Sequence, residues 1–84
     1  MKVKVKIKKK ENQSVFIHTE YITLDSALKV AGIAGTGGQA KILIKSNEIR
    51  VNGEICNVVR KKLYVGDCFS FEGKLFEIKN EGTV

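Results

Sequence analysis

Side chains that could act as nucleophiles, acid–base groups or soft metal ligands are few. The 84 residues include two cysteines, Cys56 and Cys68, and one histidine, His18. A zinc site takes about four ligands at characteristic spacing, and a nucleophilic cysteine needs a base within hydrogen-bond reach. Two cysteines also fall short of the disulfide framework of a small secreted domain. We therefore expect no enzyme activity, no metal and no cofactor, with both thiols reduced in half-buried strands and His18 on the surface.

The glycine-rich segment GTGGQA at residues 35–40 matches the dinucleotide-binding pattern GxGxxA. That pattern requires a preceding buried strand and a parallel βαβ unit, whereas this chain predicts a helix before the segment and antiparallel hairpins after it. A phosphate-binding P-loop is excluded because Gly38 stands where its lysine would be. The segment does place small residues and free amides at a helix start, where a phosphate can bind beside Lys41 and Lys45.

The charge is unevenly distributed along the chain. The formal net charge is +6, and residues 1–10 carry all of it, as six lysines and no acid. Residues 11–27 carry −3 and residues 63–84 carry −2, which leaves +5 on residues 28–62. A neutral domain with one basic region produces a directed field, which favours a polyanionic partner.

Hydrophobic periodicity predicts two helices in the middle of the chain. Apolar residues at helical spacing over 24–31 follow the N-cap Thr23, and Gly32 ends this helix. Thr36 caps a second helix, at about 37–46, which turns Lys41 and Lys45 outward. Its inward face is predicted to carry Ala40, Leu43, Ile44 and Asn47.

Short strands are predicted on both sides of the helices. Residues 15–17 follow a predicted turn at 11–14, and Asn52-Gly53 is a hairpin signal between strands at 49–51 and 55–59. Strands at 63–65, 68–71 and 75–78 follow, separated by turns at Gly66-Asp67 and Gly73-Lys74. This order predicts an α+β domain, in which a two-helix motif packs on a small antiparallel sheet of three to five strands.

The lysine-rich residues 1–14 are predicted to be an N-terminal extension of a domain formed by residues 15–84. Lysine alternates with valine and isoleucine over 1–8, which predicts a strand beside 15–17; the alternative is a flexible arm, since consecutive lysines repel. No apolar run reaches the ~18 residues of a membrane span or forms a signal sequence. We expect a cytoplasmic monomer that contacts no membrane.

The run Arg60-Lys61-Lys62 is the second basic signal. Such a run alone is typical of a solvated loop, but together with the outward lysines of the second helix it predicts contacts along a phosphate backbone. The six aromatic residues, Tyr21, Tyr64 and four phenylalanines, are expected mostly in the core. That placement argues against a stacking platform for single strands.

From Tyr21 onward the chain resembles the RNA-binding domain family named after the fourth protein of the small ribosomal subunit, the S-four-like domain. The resemblance covers residues 22–71, in ITLDSALKVAGI, GTGGQAKILIKSNEIRVNGE and RKKLYVGDCFSF. Its most specific parts are GQAK at 38–41, VNGE at 51–54 and VGD at 65–67. TEYITLDSALK, TGGQAK and RKKLYVGD are similar, more narrowly, to the short stand-alone bacterial members of YaaA type.

This resemblance implies a compact RNA-binding module of αL-type fold, whose partner is structured RNA, in particular ribosomal RNA or a ribosomal subunit. Many members begin the first helix with an arginine that reaches RNA, where this chain has Thr23 and Asp25. Carried over by position, the implied RNA-binding residues are Thr36, Gly37, Gly38, Gln39, Lys41, Lys45, Arg60, Lys61 and Lys62.

Our hypothesis from the sequence is a non-enzymatic module that recognises folded ribosomal RNA by backbone shape, in ribosome assembly or function. Two alternatives stay open at this point. One is a small adaptor whose basic face docks an acidic protein, and the other is a factor that binds stalled large subunits beside transfer RNA.

Overall fold

The structure is a computed structural model that describes residues 11–80. Two helices lie between strands along the chain. In order, the elements are β1 (Glu11–Ile17), β2 (Tyr21–Thr23), α1 (Leu24–Val30), α2 (Gly37–Lys45), β3 (Arg50–Val51), β4 (Glu54–Ile55), β5 (Lys62–Tyr64), β6 (Cys68–Phe71) and β7 (Lys74–Asn80).

The strands form a five-stranded sheet and a separate pair. The strand order in the larger sheet is β1-β7-β6-β3-β4, and β2 pairs with β5. The β1–β7 pairing is parallel and the other pairings are antiparallel, so the larger sheet is mixed. The predicted α+β fold with a two-helix motif is confirmed, and the antiparallel sheet predicted with it is corrected to a mixed one, because β1 pairs in parallel with β7.

Strand β1 corrects the turn predicted at residues 11–14. All seven of its residues pair with β7, from Glu11 opposite Lys74 to Ile17 opposite Asn80. A polar stretch such as ENQS carries no local strand signal. Here the stretch is held as a strand by pairing with β7, more than sixty positions away in the sequence. Such a non-local pairing cannot be predicted from the periodicity of the segment itself.

The core lies between the helices and the sheet. Both helices bury the faces that their apolar spacing predicts, with Leu24, Ala27 and Leu28 from α1 and Ala40 and Ile44 from α2. The sheet contributes Val15, Ile17, Val51, Phe69, Phe76 and Ile78, and Ala34, Ile49 and Leu63 complete the core. Phe69 and Phe76 are cross-strand partners whose rings stack 4.9 Å apart.

Two hairpins are closed by residue pairs with positive φ. Asn52 (φ 52°) and Gly53 (φ 89°) turn β3 into β4, which confirms the predicted hairpin. The second turn is corrected from Gly73-Lys74 to Glu72 (φ 50°) and Gly73 (φ 83°), and Lys74 opens β7. The strand predicted at 55–59 is also corrected, since β4 ends at Ile55.

The first ten residues, predicted as a strand or an arm, lie outside the described residues, so the proposed division after residue 14 stays a prediction. Because β1 begins at Glu11, the last part of the predicted extension belongs to the sheet. Among residues 11–80, neither helix is long and apolar enough to cross a membrane.

Candidate nucleic-acid interface

The start of α2 is fixed by a reciprocal pair of side-chain hydrogen bonds. Thr36, the N-cap residue, accepts at its Oγ1 the N–H of Gln39 at 3.1 Å. The Gln39 Oε1 atom accepts the N–H of Gly35 at 2.7 Å. This is a variant of the capping box, which satisfies helix-start donors in both directions. The spacing Thr-x-x-Gln is a sequence signal for it that our sequence analysis missed. Thr36 and Gln39 therefore shape this site.

Between these two residues, Gly37 and Gly38 leave the helix start uncovered. Neither has a positive φ. A Cβ at Gly37 would meet nothing within 4 Å, and one at Gly38 would only touch Thr36 Oγ1 at 3.8 Å. Within the described residues the N–H groups of both glycines have no acceptor. Two amide donors thus point out of the positive end of a helix, an arrangement that suits an anion.

The face of α2 that continues from these glycines is basic. Lys41 lies four positions after Gly37 and Lys45 one turn further, and both are exposed. The opposite face, with Ala40 and Ile44, is fully buried. The prediction that α2 divides into a buried apolar face and an exposed lysine face is thereby confirmed. Asn47, predicted on the inward face, is exposed instead, because α2 ends at Lys45 and Asn47 has a φ of 62°.

The basic run at 60–62 lies against the start of α1. The first two N–H groups of α1, those of Leu24 and Asp25, donate to the carbonyls of Lys61 (2.8 Å) and Val59 (3.1 Å). Backbone carbonyls thus replace a side-chain cap, and Thr23 Oγ1 donates to Ser26 Oγ instead. Two backbone hydrogen bonds thus hold this segment, and the side chains of residues 60–62 are exposed.

Arg60 also meets an acid at this point. Its Nε lies 4.0 Å from Asp25 Oδ2, although the Arg60 side chain is 81% exposed and that of Asp25 only 19%. The second carboxylate oxygen, Asp25 Oδ1, is buried without a hydrogen-bond partner among the described residues. A negative charge therefore stands beside the basic run and competes with any phosphate for Arg60.

The nine sequence-predicted residues fall into two groups, one at the start and along the exposed face of α2 and the other beside the start of α1. The first, residues 36–45, begins six residues after α1 ends, and the second, residues 60–62, crosses the α1 start. Helix α1 has seven residues and is therefore about 10 Å long. Among residues 11–80, no hydrogen bond or ion pair joins the two groups to each other.

Two exposed tyrosines contradict the expectation that the aromatic residues lie mostly in the core. Tyr21 and Tyr64 are cross-strand partners in the β2–β5 pair, with ring centroids 5.7 Å apart. They are 37% and 43% exposed, and Phe16 is 57% exposed. Lys62 Nζ lies 4.8 Å from the centre of the Tyr21 ring. The expectation failed because both tyrosines alternate with core residues, Ile22 and Leu63, in strands too short for a period to be read.

Asn52, in the VNGE motif, and Asp67, in the VGD motif, tie two turns together. Asn52 Nδ2 donates to Asp67 Oδ1 at 3.3 Å, and Asn52 Oδ1 accepts the N–H of Cys68 at 3.0 Å. Asp67 Oδ2 accepts the N–H of Tyr64 at 2.8 Å. These two motifs, prominent in the sequence resemblance, therefore hold the β3–β4 hairpin against the β5–β6 turn.

The cysteines are free and half-buried, and the exposed His18 follows β1. Burial raises the pKa of the Cys68 thiol, and the negative charges of Glu77 and Asp67 raise it further. Such a thiol is a poor nucleophile near neutral pH because the thiolate is the reactive form. Among residues 11–80, no three His, Cys, Asp or Glu side chains are grouped as metal ligands.

Comparison with known proteins decides the family. A family model described as the S4 domain matches residues 15–79. The chain belongs to the S4 domain family. The matched range contains both groups of the candidate site and the tyrosine pair, and it confirms the family predicted from the sequence.

Two relatives of this S4 domain carry informative descriptions. The protein called "Probable ribosome maturation protein RlbA" from Bacillus subtilis (strain 168) is 44% identical over 59 residues, covering 70% of this chain and 83% of that protein. The solution structure of YbcJ from E. coli, described as revealing an alfaL motif involved in RNA-binding, superimposes with a TM-score of 0.59 at 24% identity. That match covers 94% of this chain and 99% of YbcJ, and it shows a shared fold.

Proposed function

We propose that this S4 domain binds structured ribosomal RNA, without catalysing a reaction, and acts in ribosome maturation in the cytoplasm. The observation that carries the proposal is the uncovered start of α2, where the amides of Gly37 and Gly38 meet the exposed Lys41 and Lys45. The relative named as a ribosome maturation protein and the RNA-binding motif of the structural neighbour support the choice of RNA as the anion.

A phosphate of the RNA backbone fits the α2 start for two reasons. The glycine amides supply hydrogen-bond donors that no side chain shields, and the helix dipole adds a partial positive charge there. Lys41 and Lys45 then continue along one face, so that the next phosphates of the same strand find further cations. Such contacts read backbone geometry, which is how double-stranded RNA is mostly recognised.

The second basic group, residues 60–62, provides further cations beside the start of α1. All seven Lys and Arg residues between 28 and 62 are exposed. The same stretch has only two acids, Glu48 and Glu54, whereas residues 11–27 contain acids and no base. This charge separation orients the domain toward a polyanion before contact. Residues 36–45 and 60–62 together can therefore contact more than one phosphate of the RNA.

Crosslinking in cells, followed by sequencing of the attached RNA, tests the proposal directly. We expect crosslinks concentrated in ribosomal RNA and lost in the Lys41→Glu/Lys45→Glu double variant. A matched variant, Lys74→Glu/Lys79→Glu, makes the same charge change on β7, outside the candidate site, and should keep them.

Nuclease treatment separates RNA binding from docking to an acidic protein, because both partners would dissociate at high salt. If the chain binds ribosomal RNA, nuclease should release it from ribosomal particles. Retention of an acidic protein after complete RNA digestion would contradict the proposal and favour the adaptor. Crosslinks confined to transfer RNA on large subunits would favour a role beside stalled complexes.

A further inference from the structure

We infer that Tyr21, Tyr64 and Lys62 form a nucleotide-binding platform, on which an unpaired base of the RNA stacks while Lys62 contacts its phosphate. This inference rests on the proposed RNA binding and adds to it a second mode of recognition. The platform is distinct from the α2 start, because it lies on the β2–β5 pair.

The register of β2 and β5 gathers these side chains on one face. Tyr21 lies opposite Tyr64, and Thr23 lies opposite Lys62. Because side chains alternate across a strand, these four share a face, while Ile22 and Leu63 point to the other side. Leu63 is fully buried and Ile22 packs against the core. The burial of Ile22 and Leu63 on one face therefore keeps Tyr21 and Tyr64 on the face that points to solvent.

The rings present apolar area to solvent at a basic surface. Tyr21 and Tyr64 are 37% and 43% exposed, although aromatic rings are among the largest contributors to core burial. Their centroids are 5.7 Å apart and their planes are tilted by 51°. Two tilted, partly exposed rings form a shallow wedge, and a planar base can stack on one wall of it. Every base has a π-face, so such stacking tolerates different sequences.

Lys62 supplies a cation for the phosphate of the nucleotide whose base is stacked. Lys62 Nζ is held 4.8 Å from the centre of the Tyr21 ring by a cation–π contact. A base stacked on these rings brings its phosphate close to this ammonium group, with Lys61 next to it in the chain. Exposed aromatic side chains next to cations are the combination by which proteins bind unpaired nucleotides.

Base pairs inside a duplex cannot use this platform, since both faces of each base are already stacked. Unpaired bases in loops and bulges can leave the stack and meet aromatic side chains. The α2 start and the platform therefore recognise different features of the RNA. The α2 start binds the phosphate backbone, and the platform binds an unpaired nucleotide nearby. The predicted target is a ribosomal RNA helix interrupted by a bulge or adjoining a junction.

Two RNA probes test the platform on the full chain. One is a blunt RNA duplex, and the other is the same duplex with a single unpaired 2-aminopurine, whose fluorescence is quenched when it stacks. We expect the protein to bind the bulged probe about tenfold more tightly and to quench its fluorescence. Tyr64→Ile, which keeps a strand-forming residue but removes the ring, should abolish both the preference and the quenching while leaving duplex affinity unchanged.

Two further variants serve as controls. Tyr64→Phe retains the ring and should retain the preference. Phe16→Ile removes a more exposed aromatic ring from β1, outside the platform, and should change nothing. The thermal midpoint of every variant is measured alongside, because a cross-strand aromatic pair can also stabilise a sheet.

Three results would overturn the inference. Equal binding of the two probes by the unaltered chain would contradict the platform and leave backbone binding intact. A fall in thermal midpoint and in affinity for both probes with Tyr64→Ile would show that the pair only stabilises the fold. Binding of neither probe at low salt would contradict the proposed RNA binding together with the platform.

Discussion

Asn52 and Asp67, fifteen positions apart, are joined by a hydrogen bond of 3.3 Å from Asn52 Nδ2 to Asp67 Oδ1. The same amide accepts the N–H of Cys68, and the same carboxylate accepts that of Tyr64. One side-chain pair therefore connects the hairpin after β3 with the turn that leads into β6. The residues that give the sequence its most specific family signal stabilise the fold at this point.

Replacing Asn52 with aspartate tests this link. Asn52→Asp keeps the side-chain size and the tolerance for positive φ, but it places a second carboxylate oxygen against Asp67. We expect a loss of about 1–2 kcal/mol in the free energy of unfolding at neutral pH, from the lost hydrogen bond and the repulsion. Because protonation removes the repulsion, the loss should shrink in acid. Chemical denaturation at several pH values measures it, with Asn57→Asp as the equally charged control.

Reversing both lysines of α2 tests the backbone contacts. Lys41→Glu/Lys45→Glu should cripple RNA binding and leave the fold intact, because both side chains are exposed and the opposite face makes the core contacts. Each lost phosphate contact lowers the slope of log K against log salt by about one. Equal slopes for this variant and for Lys74→Glu/Lys79→Glu would contradict the assignment.

Gly38→Val separates ligand access from packing. The new Cβ meets only Thr36 Oγ1, at 3.8 Å, and valine is no worse in a helix than glycine. We expect a thermal midpoint close to that of the unaltered chain but RNA binding about tenfold weaker, because the branched side chain stands between the helix start and the phosphate.

Gly73→Val should give the reverse result. Its φ of 83° strains any L side chain, so the fold should be destabilised while the α2 start is untouched. If Gly38→Val instead unfolds the protein and Gly73→Val does not, the interpretation of both glycines is wrong.

The raised pKa of the Cys68 thiol predicts slow alkylation. Its folded-state pKa lies above the ordinary value because of burial first and then Glu77 and Asp67, so less thiolate is present at any given pH. In a Cys56→Ser background, the pH–rate profile of Cys68 with iodoacetamide should be displaced to higher pH than that of glutathione. Glu77→Gln, opposite Cys68 in the sheet, should move the profile back toward lower pH. A profile that coincides with that of glutathione would contradict the raised pKa.

The helices were predictable because their signals are local. Thr36 and the apolar residues at helical spacing lie within the segments that they organise, whereas Thr23 marks the start of α1 without a side-chain cap bond. Strand β1 was not predictable in this way, since its polar residues form a strand only by pairing with β7. Local propensity does not indicate a partner so distant in the sequence. The tyrosine pair was missed for the same reason, because Tyr21 and Tyr64 meet only through a register set by tertiary folding.

A mutation of Asp25 tests whether its carboxylate competes with RNA for Arg60. Its carboxylate lies 4.0 Å from the Arg60 Nε, beside a run that we propose contacts phosphate. Asp25→Asn removes this competing charge and keeps the side-chain shape, so Arg60 is free to bind RNA. We expect affinity to rise about threefold at low salt, with the gain fading as salt screens the charge.

The folding cost of Asp25→Asn should be small. The variant loses a favourable acid in the first turn of α1, worth about 0.3–1 kcal/mol, but it also replaces a charged group, one oxygen of which is buried without a hydrogen-bond partner among the described residues, by a neutral amide that costs less to bury. Glu48→Gln makes the same charge change at an exposed residue outside both basic groups and serves as the control for net charge. An equal gain in affinity from both variants would mean that total charge, and not release of Arg60, governs binding. A gain confined to Asp25→Asn that disappears when Arg60→Ala is added would place the effect at this ion pair, since the two changes are then not additive.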